Sequence, residues 1–225
     1  KRNFEIVTDY SHIGTLHKPP ITYKDNLFKN IKFLEIDLTG AAKVNTEVSN
    51  FTYKPDVIIP NSDVQLFGYY QSYKYFDNCK DYISKLFLPS SYKQRAGYVS
   101  LHVRRGDYIN LSQFHHNLSI DYYNNAGSVQ SRINYADNAI DYFKGYKFLV
   151  FSDDLEWCKE NFKGDQFEFI QNENDYEDLY MMIECEHNVI ANSTFSWWAG
   201  YLNPNKNKKV IYPDKWFGPV YKDFS

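Results

Sequence analysis

Short apolar segments alternate with longer amphipathic ones through the second half of the chain. The apolar segments, rich in β-branched and aromatic residues, are predicted strands at residues 98–103, 147–151, 167–170, 188–191 and 209–212. The amphipathic segments are predicted helices at residues 136–143, 152–162, 175–186 and 195–202, with a loop and short helix at 115–127. Because strands that alternate with helices pair in parallel, this order predicts an α/β fold with a doubly wound sheet.

The first half of the chain has a less regular pattern. Strands are predicted at residues 4–8 and 31–38, a polar loop at 45–56 and a helix at 71–86. The sequence Pro89-Ser90-Ser91 then interrupts the helical pattern. It predicts a boundary between two domains, which we place at residues 1–93 and 94–225.

Composition narrows the classes of partner. With 225 residues, 43% of them hydrophobic, the chain is long and apolar enough for a buried core. A net charge of −3 argues against nucleic acid as the main partner, and no apolar run is long enough to span a membrane. The cysteines Cys79, Cys158 and Cys185 lack the spacing of a zinc site or a disulfide framework, so we expect reduced, buried thiols.

Three of the predicted strands are followed by polar clusters. They are His102-Val-Arg-Arg-Gly-Asp107, Ser152-Asp153-Asp154 and Asn192-Ser193-Thr194. The carboxyl ends of parallel strands share one edge of a sheet, where ligands of α/β proteins bind, so these clusters are expected to meet at one ligand. The adjacent arginines carry planar sets of donors that match phosphate oxygens, which predicts an anionic ligand.

Each cluster also has a simpler interpretation. Arg105 and Asp107 are compatible with a surface ion pair in a turn, and Asn192-Ser193-Thr194 with a plain cap of the following helix. Asp153 and Asp154 either hold a divalent metal that bridges a diphosphate, or cap the next helix and order nearby groups. We favour the second role because two carboxylates are few ligands for a metal ion.

Two aromatic pairs carry weaker signals. Trp197 and Trp198 lie in the helix after the Asn-Ser-Thr cluster and are expected to pack in the core. His115 and His116 lie in a polar loop and are expected to be exposed. Either histidine is chemically able to act as a base, and the sequence selects neither.

Taken together, the clusters resemble glycosyltransferase family 11. The resemblance rests on the order and spacing of the His-Val-Arg-Arg-Gly-Asp segment, Phe151-Ser-Asp-Asp154 and Asn192-Ser-Thr-Phe-Ser-Trp-Trp198. Two flanking stretches also fit, Gly68-Tyr-Tyr-Gln-Ser72 and Val210-Ile-Tyr-Pro-Asp-Lys-Trp-Phe217. The resemblance thus spans residues 68–217.

That family is dominated by α-1,2-fucosyltransferases, which sets the expected fold and activity. The resemblance implies a GT-B fold of two Rossmann-like domains and an inverting, metal-independent transfer of fucose from GDP-fucose to a galactose-containing glycan. No cofactor is implied beyond the donor substrate. Transfer of another nucleotide-linked deoxysugar, or binding of sugar nucleotide or glycan without catalysis, stays open, because a fold hosts many functions.

The resemblance also implies roles for single residues. Arg104 would hold the β-phosphate and stabilise the departing GDP, while Arg105 and Asp107 would brace the loop or reach the donor. The remaining implied donor-site residues serve the guanine (His102, Asp178), the diphosphate (Asn192, Ser193, Thr194, Phe195, Ser196) and the support of the site (Asp153, Asp154).

One part of the family pattern is missing. Members normally begin with a Gly-Gly-Leu-Gly-Asn-Gln-type loop, which this sequence does not contain. We therefore expect an N-terminal domain that is truncated in the sequence given. The family implies a cytoplasmic location for a microbial or viral member, and the Golgi lumen for a member with an N-terminal anchor.

Overall fold

The computed structural model describes residues 20–31, 42–45, 53, 64–67, 70–118, 120–124 and 139–224. The strand predicted at 4–8 lies outside these residues, as do nearly all of the strand at 31–38 and most of the loop at 45–56. The chain divides into two compact units, Lys1–Pro89 and Ser90–Ser225.

The first unit contains a small parallel sheet and one α-helix among its described residues. Strand β1 (Ala42–Asn45) pairs with β2 (Val64–Phe67), and helix α1 covers Lys80–Phe87. The single helix predicted at 71–86 is wrong in its first half, which forms two 3-10 turns, Tyr73–Tyr75 and Asp77–Cys79. Asp and Asn side chains compete with helical backbone hydrogen bonds, which weakens the helix at this point.

The second unit is built on a five-stranded sheet. Its strands are β3 (Arg95–Val103), β4 (Lys147–Ser152), β5 (Phe167–Phe169), β6 (Cys185–Val189) and β7 (Val210–Ile211). They run in parallel in the order β5-β4-β3-β6-β7, which confirms the predicted parallel α/β sheet and is consistent with a Rossmann-like fold. The strand order reverses between β3 and β6, and ligands bind beyond such a switch point.

Six helices of the second unit lie among the described residues. They are α2 (Gly106–Asn110), α3 (Ile120–Asn124), α4 (Ala139–Tyr142), α5 (Leu155–Asn161), α6 (Asp175–Glu184) and α7 (Thr194–Leu202). The prediction of a helix to residue 186 and a strand from 188 is wrong at the junction. Cys185 is already extended, so β6 follows α6 directly.

The two faces of the central strands pack differently because side chains alternate along a strand. On one face Val99, Leu101, Phe148 and Val150 join the main hydrophobic cluster with residues of α3, α4 and α5. All four of these side chains are at most 1% exposed. Apolar burial on this face supplies the main stabilisation of the sheet.

The opposite face contains a buried amide network. The Nδ2 of Asn188 donates to Ser100 Oγ at 2.7 Å and to Met182 O at 2.8 Å. The Nδ2 of Asn203 donates to Asn188 Oδ1 and to Cys185 O, both at 2.8 Å. These hydrogen bonds tie β3, β6 and the ends of α6 and α7 together, and they offset the cost of burying the amides.

Two composition-based predictions can be compared with the structure. All three cysteines are free thiols, with Cys158 and Cys185 buried as predicted and Cys79 only half-buried. Across the described part of the chain, every helix is too short or too polar to cross a bilayer.

Candidate donor-binding site

The three polar clusters meet at the carboxyl edge of the five-stranded sheet, as the sequence predicts. The first follows β3, the second ends β4, and the third follows β6. Arg104 pairs with Asp153, which joins the first two clusters, and His102 contacts Ser196, which lies two residues after the third cluster in α7. The clusters therefore form one site beside the switch point between β3 and β6.

Arg104 is held between two carboxylates. Its Nη2 donates to Asp107 Oδ1 at 2.7 Å, and its Nη1 lies 2.8 Å from Asp153 Oδ2. Asp107 thus pairs with Arg104, and the alternative interpretation of an Arg105–Asp107 ion pair is wrong. The Arg104 side chain remains 33% exposed. A guanidinium has five N–H donors, so the two ion pairs leave donors for a further anion.

Arg105 has a separate set of partners. Its backbone N–H donates to Asp153 Oδ1 at 2.9 Å, and its Nε donates to Asp154 Oδ2 at 3.0 Å. Its Cζ lies 4.0 Å from the ring centroid of Trp157, a close cation–π contact. With 18% of its side chain exposed, Arg105 is held more tightly than Arg104.

The paired aspartates have the ordering role that the sequence favours. Asp154 Oδ1 accepts from Trp157 N at 3.1 Å, which makes Asp154 the side-chain N-cap of α5 and confirms the capping prediction. All four carboxylate oxygens of Asp153 and Asp154 therefore contact protein donors. Within the described residues, no three His, Cys, Asp or Glu side chains are grouped as a candidate metal site.

Gly106 allows the two loops to approach closely. A Cβ atom at this position would lie 2.4 Å from Asp153 Oδ2, which is far too close for a real contact. That oxygen is the one paired with Arg104. A side chain at this position would therefore displace the carboxylate that pairs with Arg104.

His102 is buried behind the arginines. Its Nδ1 lies 2.8 Å from Ser196 Oγ, and its ring packs at a tilt against Phe195 with centroids 5.7 Å apart. Burial, and to a lesser degree the charge of Arg104, lower the pKa of His102 to about 3. The imidazole is therefore neutral at physiological pH. Because Ser196 Oγ donates to Ser193 O, this geometry favours the tautomer with the proton on Nδ1.

Asn192 connects three segments. It is 2% exposed, and its Nδ2 donates to His116 O at 2.9 Å and to Trp216 O at 2.8 Å. Its backbone carbonyl accepts a hydrogen bond of 3.0 Å from Tyr108 Oη. The buried Asn192 side chain thus holds the segments at His116 and Trp216 beside the turn after β6.

The plain helix-capping interpretation of the Asn-Ser-Thr cluster is wrong. Ser193 is the N-cap of α7, but its side chain makes no capping hydrogen bond there. Asn192 is directed to other segments, and Thr194 is exposed at the first helical position. No side-chain cap therefore satisfies the first N–H groups of α7, and such groups favour an anion.

Asp178 lies on the same edge of the sheet but contacts other residues. It occupies the first turn of α6, and its Oδ1 accepts from Asn172 Nδ2 at 2.8 Å. Burial is the main cause of its raised pKa, which the Asn172 hydrogen bond partly opposes. Asp178 therefore shares the sheet edge with the two arginines, while its own hydrogen bond is with Asn172.

The remaining aromatic residues differ from expectation. Trp197 and Trp198 are half-buried instead of in the core, and the ring of Trp197 stacks on Tyr201 with centroids 5.0 Å apart. His115 and His116 are also half-buried, and burial is the main cause of their lowered pKa values.

Two residues of the site were missed by sequence reasoning. Tyr108 packs beside Arg104, with its ring centroid 5.5 Å from Arg104 Cζ, and Trp157 packs on Arg105. Tyr108 lies four positions after Arg104, and Trp157 lies three positions after Asp154. Each is therefore one helical turn from a residue already singled out, which was the available signal.

A parallel α/β domain with paired arginines at its switch point is a nucleotide-binding type of architecture, and sequence comparison identifies the family. Residues 66–218 match the family model for glycosyl transferase family 11. The chain belongs to this family. The resemblance stated from the motifs is thereby confirmed.

The chain is similar to several named glycosyltransferases. An O-antigen biosynthesis glycosyltransferase of Escherichia coli, WbnK, is 35% identical and aligns with 68% of this chain and 55% of its own length. An E. coli alpha-1,2-colitosyltransferase is 32% identical, over 68% of this chain and 56% of its own. Galactoside alpha-(1,2)-fucosyltransferase 1 of Bos taurus is 28% identical, over 62% and 39%. The chain thus spans about half the length of the curated relatives it matches.

Proposed function

We propose that this chain is the donor-binding part of an inverting glycosyltransferase that moves L-fucose from GDP-β-L-fucose to the 2-hydroxyl of a galactose-type glycan. The observation that carries the proposal is the Arg104–Arg105 pair beside the β3/β6 switch point, in a chain of glycosyltransferase family 11. Residues 94–225 would form the donor domain of a GT-B enzyme, and residues 1–93 an incomplete N-terminal domain.

The diphosphate would bind between the arginine loop and the start of α7. Arg104 is the more exposed of the two arginines and offers free guanidinium donors to the β-phosphate. Ser193, Thr194, Phe195 and Ser196 would line the other side, where the first N–H groups of α7 favour negative charge. Asp153, Asp154 and Asp107 would hold the arginines in place.

The chemistry asks for charge stabilisation at the leaving group. The bond between fucose C1 and the β-phosphate oxygen breaks as the acceptor 2-hydroxyl oxygen attacks C1 from the opposite face, which converts a β-linked donor into an α-linked product. The hydroxyl proton passes from the acceptor oxygen to solvent, and the electron pair of the broken bond leaves with GDP, where negative charge develops. A guanidinium fixed in advance by Asp107 and Asp153 stabilises that charge without having to reorganise.

The guanine would lie near His102. A neutral imidazole with its proton on Nδ1 leaves Nε2 as an acceptor for a purine N–H group. Asp178 is the second candidate acceptor, because its first-turn position places it on the same edge of the sheet. Carboxylates suit the adjacent N–H donors of guanine.

The transfer would proceed without a metal ion. The Asp153 and Asp154 oxygens are already satisfied by Arg104, Arg105 and the α5 N-terminus. The two guanidinium groups then supply the positive charge that a divalent cation provides in other nucleotide sites.

A second candidate is transfer of a different deoxysugar from a nucleotide donor. It is favoured by the 32% identity to a relative named as an alpha-1,2-colitosyltransferase. Turnover of another nucleotide-linked deoxysugar, combined with none of GDP-fucose on galactosides, would select this alternative over fucosyl transfer.

Calorimetric titration in chelator tests the donor assignment. The purified chain is titrated with GDP, GDP-fucose, UDP and dTDP, and selective binding of the two guanine nucleotides is expected. The same titration on a chain extended at its N-terminus separates two causes of a negative result: the need for the family's Gly-rich loop, and a wrong donor assignment. Failure of both chains to bind GDP while folded would overturn the assignment.

A further inference from the structure

Tyr108 is the residue at which three contacts around the proposed phosphate site converge. Its ring centroid lies 5.5 Å from Arg104 Cζ, within cation–π range. Its ring also stacks face to face on His115, with centroids 4.1 Å apart and planes 5° apart. Its hydroxyl donates to the backbone carbonyl of Asn192 at 3.0 Å.

These contacts give Tyr108 a fixed position. The hydroxyl reaches the turn after β6, while the residue itself lies in α2, after β3. Burial is the main cause of the raised pKa of the phenol, so the hydroxyl is protonated and able to donate at physiological pH. The Asn192 carbonyl is itself fixed, because the Asn192 side chain binds two other segments.

The ring is supported on the His115 side as well. The backbone N–H of His115 donates to Leu111 O at 3.0 Å, and His115 forms an isolated antiparallel bridge with Phe217. An aromatic ring stacked on a ring that is held by the backbone has little freedom to turn away from Arg104. Tyr108 therefore presents a rigid surface to a side chain that is one-third exposed.

Arg104 needs this support more than Arg105 does. Arg105 lies 4.0 Å from the Trp157 ring and is 18% exposed, whereas Arg104 is 33% exposed and its two carboxylate partners, Asp107 and Asp153, are 45% and 24% exposed. Exposed ion pairs hold a long side chain only weakly. The ring of Tyr108 supplies an apolar restraint that the carboxylates do not.

We propose that Tyr108 is a positioning residue that holds the Arg104 guanidinium toward the phosphate site and couples the arginine loop to the turn after β6. The proposal rests on the proposed donor site. Its two parts are separable, because the ring restrains Arg104 and the hydroxyl fixes the ring on Asn192 O.

A pair of variants tests the two parts. Tyr108→Phe removes only the hydroxyl bond, and Tyr108→Leu removes the ring as well. We expect GDP affinity to fall in the order wild type, Phe, Leu, with a loss of about threefold to tenfold for Leu, the range of a cation–π contact. Tyr98→Phe is the matched control, because Tyr98 also donates through its hydroxyl, to Glu168, near the start of β3. It should leave GDP affinity unchanged.

A double-mutant cycle shows whether Tyr108 acts through Arg104. NMR titration, which measures millimolar affinities, gives the effect of Tyr108→Leu in the wild-type and Arg104→Ala backgrounds. We expect the loss to disappear in the Arg104→Ala background. Equal losses in both backgrounds, or no loss in either, would overturn the positioning role.

A ligand-free readout separates this proposal from the donor assignment. The Nε–Hε signal of Arg104 in ¹⁵N NMR reports the order of its guanidinium, and that of Arg105 serves as an internal control. Tyr108→Leu should broaden the Arg104 signal and leave the Arg105 signal sharp. If neither the wild type nor the N-terminally extended chain binds GDP, the donor assignment fails, and this signal alone decides the role of Tyr108. An unchanged Arg104 signal would then overturn it.

Discussion

His102 Nδ1 lies 2.8 Å from Ser196 Oγ, so the end of β3 is joined to the first turn of α7 by a buried, neutral imidazole. The contact joins the first polar cluster to the helix that follows the third. It also makes the stability of this edge depend on the protonation state of one side chain.

The first prediction concerns acid stability. The pKa of His102 is about 3 in the folded chain, against about 6.5 when unfolded, so the unfolded state binds more protons between these values. Its contribution to stability is present in full above pH 6.5 and is lost as the pH falls toward 3. In urea titrations, lowering the pH from 7.5 to 5.5 should cost the wild type about 1.4 kcal/mol more than His102→Gln. Identical pH dependence in the two proteins would contradict a buried neutral His102.

The second prediction concerns the guanidinium of Arg104. Arg104→Ala should lower turnover by about 100- to 1,000-fold, the scale of losing one preorganised donor in a transition state. Arg104→Lys should fail as well, because an ammonium does not reproduce a planar fork that also pairs with Asp107 and Asp153. Arg95→Ala is the matched control, since Arg95 pairs with Glu184 at 3.0 Å near the start of β3. Near-normal kcat in a folded Arg104→Lys protein would refute this geometric requirement.

The third prediction contrasts two carboxylates that share Arg104. Asp107 is the more exposed partner, so it restrains Arg104 less than Asp153 does, while its charge repels a phosphate; Asp107→Asn should therefore tighten GDP binding roughly threefold. Asp153 also holds the backbone of Arg105, so Asp153→Asn should weaken GDP binding roughly tenfold. Calorimetry on both proteins checks the two signs. Changes of the same sign would show that the aspartates have one common role.

The fourth prediction concerns the close approach at Gly106. In Gly106→Ala the new Cβ would displace Asp153 Oδ2 from Arg104, and GDP binding should weaken about as much as in Asp153→Asn. In an Asp153→Ala background the steric conflict is absent, so Gly106→Ala should have little further effect on GDP affinity. Additive losses in the double variant would mean that Gly106 acts through the backbone of α2 instead.

The fifth prediction concerns metal ions. Because the Asp153 and Asp154 oxygens are bound to protein donors, turnover should be unchanged in excess chelator. The measurement is the initial rate with and without chelator, followed by addition of Mg²⁺ or Mn²⁺. Loss of activity that either ion restores would support the interpretation in which Asp153 and Asp154 hold a metal that bridges the diphosphate.

The second unit was largely predictable, because its strands are short apolar runs that end in polar clusters. The order of those runs predicts that the ends of β3, β4 and β6 share one edge of the sheet, as they do in the structure. The N-cap role of Asp154 was predictable for the same reason, since capping is local in sequence. The GT-B arrangement and the roles of single donor-site residues stay predictions.

The sequence-based predictions are wrong where residues distant in the sequence determine the local structure. Asn192 looks like a cap from its neighbours in sequence, but its side chain binds the carbonyls of His116 and Trp216. The strand β6 begins early because residues from Cys185 onward pair with β3. Pairing of this kind overrides local helix propensity, and a single sequence does not reveal it.

The buried amide network fixes the register of β6 against β3. Asn188 lies opposite Ser100 in the register of β3 and β6, and their side chains are bonded at 2.7 Å. Sliding β6 by one residue would turn the Asn188 amide to the wrong face and strand it without partners, which the fold resists. The short run from Asn188 to Asn192 therefore ends at a position that the register of β6 against β3 determines. An amide buried under the sheet thus sets where the turn at Asn192 lies relative to the end of β3.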